Sequence, residues 1–430
     1  MVTAETHRAI EAVWRIESAR VIAGLTRIVR DVGVAEDLAH DALVAALEQW
    51  PESGIPEKPG AWLMSAAKHR AIDLFRRHSM AERKHEDLGR DYSARELSMP
   101  DLDSSLDDPI GDDLLRLIFI ACHPVLPKES RLALTLRLLG GLTTDEIARA
   151  FVSAEPTIAQ RIVRAKRTLS EKKIPFEIPR GTELNERLAS VLEVIYLIFN
   201  EGYTATAGDD WMRPALCEEA LRLGRILAAL APNEPEVHGL VALMEIQASR
   251  SRARTGPNGE PILLMDQNRA HWDQLLIQRG LAALERARTS GRSMGPYALQ
   301  AEIAACHARA REPQQTDWNR IVALYGQLAE TMPSPIIELN RAVAVSMASG
   351  PQRALAIVDG LMGDPRLSNY HLLPSARADF LKKLGRLEEA RKEFERAASM
   401  TQNSRERELL LERARQCGSE AFDGSGMREP

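Results

Sequence analysis

The sequence predicts a nearly all-α protein: two small helical domains joined by an acidic linker, then a helical repeat array. Three observations predict it. Ala, Leu, Arg and Glu dominate and β-branched runs are few. Apolar residues recur at helical spacing along most of the 430 residues. Pro- and Gly-rich or acidic stretches interrupt that period in a few places only. With 44% hydrophobic and 27% charged residues the composition is that of a globular chain, and the length suits roughly two to four domains of ~150 residues.

Taken in order, residues 10–78 read as helices through VWRIESARVIAGLTRIV and DLAHDALVAALEQW. PESGIPEKPGAW (51–62), with three prolines and two glycines, breaks them. A basic amphipathic helix, WLMSAAKHRAIDLFRRH, follows at 62–78. Residues 79–113 hold eleven acidic against four basic residues and few apolar ones, the composition of a solvated linker. That −7 exceeds the −5 of the whole chain, so the overall negative charge says little about the flanking domains. Residues 114–173 return to helical periodicity, and IPFEIPRG (174–181) marks a boundary.

Residues 182–416 read as a repeat array. SPIIELNRAVAVSMASGPQRALAIVDGLMGDP (334–365) aligns with PSARADFLKKLGRLEEARKEFERAASMTQ (374–402). Ala342, Gly350 and Ala354 match Ala378, Gly385 and Ala390. Each unit reads helix, turn at Gly, helix, with small residues where helices approach. PALCEEALRLGRILAALAPNEPEVHGLVALMEIQAS (214–249) has the same grammar, and the tail AFDGSGMREP is expected to fray. A period near ~34 with this pattern resembles the tetratricopeptide repeat.

The stretch GLTTDEIARAFVSAEPTIAQRIVRAKRT (141–168) has helix-turn-helix character. Thr143 and Glu146 form a capping box for a short helix with Ile147, Ala148 and Phe151 inward. After the VSAE turn, Pro156 suits the first turn of a second helix. There Ile158, Ile162, Val163 and Leu169 are expected inside, with Thr157, Gln160, Arg161, Arg164, Lys166 and Arg167 outside. These outward types bond base edges and neutralise phosphates. Residues 155–173 carry six basic against two acidic residues. A basic solvated helix on an α-helical core explains this stretch alone equally well.

Three stretches in order resemble bacterial sigma factors of the extracytoplasmic-function type. AEDLAHDALVAALEQW (35–50) looks like region 2.2, AWLMSAAKHRAIDLFRR (61–77) like regions 2.3–2.4, and 141–168 like region 4.2. Beyond residue 180 the resemblance is to a subgroup with a C-terminal tetratricopeptide-like extension, in which RSRARTGPNGEPILLMDQNRAHWD (250–273) is also characteristic. The resemblance implies that Asp37, Leu38, His40 and Asp41, with Leu47 nearby, dock on the β′ clamp helices of core RNA polymerase. His40 stands where many members have Gln. It implies that Trp62, Lys68, Arg70, Arg76 and Arg77 face the minus-10 element, the 51–61 loop capturing a flipped base. Region 4 would contact the polymerase β flap and the minus-35 promoter DNA. From residue type alone, Leu38 and Trp62 suit core positions too, and Asp37 with Asp41 suits a solvated acidic face.

This divides the chain into 1–78, 79–112, 113–176 and 177–430. In the last segment Arg252, Arg254, Asp266, Gln267, Arg269 and Trp272 form a candidate regulatory contact for a protein or ligand partner. The alternative is a salt-bridged loop between repeats. No G-x-S-x-G, Walker or H-E-x-x-H pattern occurs, and neither catalysis nor a cofactor is expected. Cys122, Cys217, Cys306 and Cys417 form no C-x-x-C pair, and Cys122–His123 lacks spaced partners for zinc. No signal-peptide pattern or apolar run near ~18 residues is present, so a cytoplasmic, non-membrane protein is expected. Two other readings fit parts of the sequence: a DNA-binding regulator that never engages polymerase, and a repeat scaffold carrying a relic of 1–175.

Overall fold

Helical periodicity becomes helix almost everywhere it was read. The computed structural model describes residues 2–86, 110–151, 153–257, 259–290 and 293–425. Among these are eighteen α-helices, a few 3-10 turns and one pair of two-residue strands. The described residues divide into two compact units, Met1–Val194 and Ile195–Pro430. None of the helices is long and apolar enough to cross a membrane.

In the first unit, α1 (Val2–Val29), α2 (Val32–Ser53) and α3 (Pro59–Glu86) pack mutually. Asp31 caps α2, its carboxylate accepting from the Val34 N–H at 3.0 Å. The apolar stripe of α2, Ala35, Leu38, Ala39, Ala42, Ala46 and Trp50, is buried with Ile22 and Leu25 of α1 and Leu63 of α3. Burying each large side chain stabilises by about 1.5–3 kcal/mol. The break expected from Pro51 comes later. Pro51 lies inside α2, and the chain turns at Gly54 with φ 82°, a conformation that costs glycine little. Likewise α3 continues to Glu86 and α4 (Ile110–Ala121) begins at Ile110, so both helices take residues from the expected linker; 87–109 lie outside the described residues.

Next come α5 (Lys128–Leu138), α6 (Thr144–Ala150) and α7 (Glu155–Glu171), with α5 and α6 both packed on α7. The capping box forms as read: Glu146 N–H donates to Thr143 Oγ1 at 3.2 Å, and Thr143 N–H donates to Glu146 Oε2 at 2.8 Å. The boundary at IPFEIPRG interrupts helix but not packing. After it, α8 (Thr182–Tyr203) buries Arg187, whose guanidinium donates to Phe119 O at 3.2 Å, and Ser190, which donates to Cys122 O at 2.6 Å. The division between units falls inside α8.

The second unit is a succession of helices packed on their neighbours: α9 (Pro214–Leu230), α10 (Pro235–Ala248), α11 (Gln274–Thr289), α12 (Pro296–Arg309), α13 (Trp318–Thr331), α14 (Pro335–Ser349), α15 (Pro351–Leu361), α16 (Leu372–Lys383), α17 (Leu387–Met400) and α18 (Ser404–Ser425). α18 takes in part of the tail expected to fray, and 426–430 lie outside the described residues. The matched repeat positions are structurally equivalent. Ala342, Ala378, Ala354 and Ala390 are all fully buried. Gly350 and Gly385 separate their helix pairs with φ 94° and 74°, values that strain a residue bearing a Cβ. β1 (Ala207–Gly208) and β2 (Gln402–Asn403) pair in parallel.

Candidate nucleic-acid and polymerase interfaces

α7 presents one buried and one open face. Ile158, Ile162, Ala165 and Leu169 face inward at i, i+4, i+7 and i+11. Thr157, Gln160, Arg164 and Arg167 are exposed, Arg161 is half-buried, and Arg167 pairs with Glu171 at 2.6 Å. Two expectations are corrected. Val163, expected inside, is 63% exposed. Five residues beyond Ile158, it is turned about 140° from the buried stripe. It lies with Gln160, Arg164 and Arg167 instead. Lys166, expected outside, flanks the stripe beside Ala165 and turns inward to α2, where its ammonium pairs with Glu36.

That pair belongs to a cluster joining the two candidate interfaces. Glu36 is only 2% exposed. Arg137 of α5 donates to its Oε1 at 2.7 Å. Burial raises the Glu36 carboxyl, but Lys166 and Arg137 outweigh it, and the group titrates below its ordinary value. Arg137 also donates to His40 Nε2 at 2.9 Å. Arginine has no acceptor, so this nitrogen is the unprotonated one and Nδ1–H donates to Glu36 O at 2.9 Å. Further ties connect the same helices: Ser170 Oγ donates to Asp31 at 2.8 Å, and Arg15 of α1 meets Glu146 of the capping box at 2.5 Å.

Around this cluster, Asp37 and Asp41 are exposed on one face of α2, while Leu38 is buried and Leu47 half-buried. On α3, Trp62 is half-buried and meets Trp50 edge-on, with ring centroids 5.2 Å apart. Lys68 and Arg70 are half-buried and Arg76 is exposed, 4.0 Å from Asp73. The Arg77 side chain lies outside the described residues. Glu36 went unread in the sequence. Its signal was a carboxylate flanking the apolar stripe of α2, one turn before His40.

In the second unit, the 250–273 stretch folds as 3-10 turns around a small hairpin bridged at Thr255 and Pro261. It brings together Arg254, Arg269 and Trp272, with Gln267 buried beside them and donating to Ile262 O at 3.1 Å. Arg252 and Asp266 are exposed. Among the described residues Arg254 and Arg269 of this stretch meet carbonyls and rings. Arg254, 7% exposed, donates to Tyr203 O and to Thr204 Oγ1 at 3.0 Å and lies 3.5 Å over the Tyr203 ring. Arg269 donates to His307 O at 2.7 Å and Ala310 O at 2.5 Å and lies 4.9 Å over Trp272. Arg250, Tyr203, Trp211 and His307 complete the cluster and were not singled out in the sequence. The four cysteines are buried and none is in a disulfide. Burial pushes the Cys122 thiol up to about 11 and Cys217 up to about 12, which disfavours thiolate chemistry. Among the described residues no group of His, Cys, Asp and Glu has metal-site geometry.

Comparison with known proteins matches these elements in order. Residues 15–80 match sigma-70 region 2, residues 116–169 match sigma-70 region 4, and residues 187–288 match a family of unknown function, DUF6596. An uncharacterized protein, R00370, of Rhizobium meliloti is 43% identical over 389 residues, covering 90% of each chain. A probable ECF RNA polymerase sigma factor, SigI, of Mycobacterium tuberculosis is 27% identical over 172 residues, 40% of this chain and 58% of that protein. α1–α3 and α4–α7 are thus the two sigma regions in their expected order, and the chain belongs to the extracytoplasmic-function branch of the sigma-70 family, acting as a sigma factor in transcription initiation.

Proposed function

We propose that α2 docks on the β′ clamp helices of core RNA polymerase through Asp37, Asp41 and His40, and that α3 engages the melted minus-10 strand through Lys68, Arg70, Arg76 and Arg77. Region 4 contacts the β flap, and α7 reads the minus-35 element. Its exposed face carries this reading, because Thr157, Gln160, Arg164 and Arg167 stand together in solvent. Val163 joins them as an apolar group suited to a thymine methyl. The protein works by recruitment and strand opening and catalyses no reaction. The second unit, with Arg254, Arg269 and Trp272 at its contact loop, modulates that activity.

In the arrangement of the first unit, Lys166 and His40 are both held in the Glu36 cluster. Lys166 reaches promoter phosphate, and His40 reaches polymerase, once that cluster opens. A regulator that never meets polymerase would not need residues 15–80, which match region 2. The test is transcription reconstituted with core polymerase. Arg161→Ala with Arg164→Ala should reduce promoter-specific transcripts at least a hundredfold while leaving core binding intact; undiminished transcript levels refute the minus-35 assignment.

A further inference from the structure

We propose that the arginine–aromatic cluster of the second unit binds a small oxyanion, a carboxylate or phosphate group carried on a free small molecule. The inference deepens the reading of the 250–273 loop as a regulatory contact and rests on that reading only for its consequence, not for the binding itself. The Arg250 guanidinium is half-buried, 5.7 Å from the Tyr203 ring centroid and 5.8 Å from that of Trp272. Arg254 and Arg269 stand against the same two rings. Among the described residues none of these three guanidinium groups pairs with a carboxylate, and Arg250 has no side-chain hydrogen bond. Burying cations without acids is costly, and ring faces offset only part of that cost.

A second observation points the same way. Tyr203 Oη, Trp211 Nε1, Trp272 Nε1, Arg269 Nε and His307 Nδ1 are all buried without a hydrogen-bond partner. Native interiors leave few such groups unpaired, and here they gather around three uncompensated positive charges. The field is also felt locally. Burial, then Arg250 and Arg269, pushes the His307 imidazole down to about 4. Burial, and after it the Arg250 charge, lowers Arg269. An oxyanion supplies what is missing: negative charge and several acceptor oxygens, for which a planar guanidinium fork is suited. Trp272 is 4% and Tyr203 8% exposed, so the donors lie deep, which suits a small group rather than a chain. The basic cleft of the first unit, about 600 Å³ and lined by Arg27, Arg30, Lys166 and Lys173, lacks this signature. Lys166 there answers Glu36 and Arg27 answers Asp113.

The test uses the purified full chain without polymerase. Thermal unfolding is followed while inorganic phosphate or acetate is titrated at constant ionic strength against chloride. A saturable rise in midpoint with either oxyanion is expected, and the arm that saturates at lower concentration identifies phosphate or carboxylate as the preferred group. In Arg250→Ala the half-saturating concentration should rise at least tenfold, while in chloride without added oxyanion its midpoint should equal or exceed that of the parent, because a repelling charge has gone. Arg250→Lys, which keeps the charge but not the fork, should fall between. No rise beyond chloride, or an equal response in parent and Arg250→Ala, overturns the proposal. Binding without any change in reconstituted transcription would leave the site standing and remove its regulatory consequence.

Discussion

Glu36 of the first unit and Arg254 of the second are both charged groups taken out of water, and their surroundings answer them oppositely. In the first unit Glu36 meets two cations, as does Asp113, which pairs with Arg27 at 3.0 Å and Arg116 at 2.6 Å. In the second, Arg254 and Arg269 meet carbonyls and rings, with Arg250 as a third cation nearby. A buried charge neutralised by its neighbours works as a fastener between helices. A buried charge left uncompensated is poised for a ligand that is not part of the chain.

The largest effect that would break this comparison is at Glu36. Glu36→Ala leaves Arg137 and Lys166 facing each other, each 21% exposed. Removing one partner of a fully buried pair costs about 3–5 kcal/mol; with both cations partly in water, about 2–3 kcal/mol is expected in urea unfolding. Per folded molecule the same variant should transcribe more, since Lys166 is released and Arg137, which holds His40, loses its carboxylate anchor. A stable variant with unchanged transcription would show that the cluster fastens nothing.

Acid sharpens the contrast. His307 titrates at about 4 when folded, below its ordinary 6.5. The unfolded chain therefore binds the proton first, and stability falls as pH drops from 6.5 towards 4. The loss from this group should be about 1–2 kcal/mol, less than its full shift because the ring is not wholly buried. His307→Gln should flatten that slope. His123 in the first unit is also held down to about 4, chiefly by burial, and should contribute a second loss of the same sign that His307→Gln leaves in place. The Glu36 contribution has the opposite origin. Its folded value is lowered, so it is present above the ordinary carboxylate value and lost only as pH falls below it. Oxyanion in the buffer should protect against the His307 loss and not against the Glu36 loss. At the small end, Arg167→Ala removes an exposed pair with Glu171 and should leave the unfolding midpoint unmoved. A clear drop there would blur the line drawn between buried and exposed pairs.

Local features were legible in the sequence. The Thr143–Glu146 box, the glycine turns at Gly350 and Gly385, and the buried alanines follow from rules that act within a few residues. The exposed face of α7 was mostly legible too, and the errors at Val163 and Lys166 are instructive. Val163 was placed by its chemistry rather than by its angle on the helix. Lys166 was assigned by its charge, whereas its direction is set by Glu36, which precedes it by more than a hundred residues. The Arg250 cluster was half legible. Arg254, Arg269 and Trp272 share one loop, but Tyr203, Trp211 and His307 converge on it from α8, from the segment before α9, and from α12. No short window of sequence holds that juxtaposition.

The pairing of β1 with β2 has a consequence of another kind. Asn403, fully buried, donates to Ala205 O at 3.2 Å and Asp210 O at 2.9 Å, and caps α18 by accepting from Glu406 N–H at 3.1 Å. The end of the helical succession is thereby latched to its beginning. An open solenoid can acquire or shed a module by duplication or deletion, since each module touches only its neighbours. A latched one cannot: an inserted module would carry Gln402 and Asn403 out of register with Ala207 and Gly208. Descent of this unit should therefore vary its loops and hold its number of helices constant, and innovation would concentrate in segments such as 250–273, which can change without unlatching the whole.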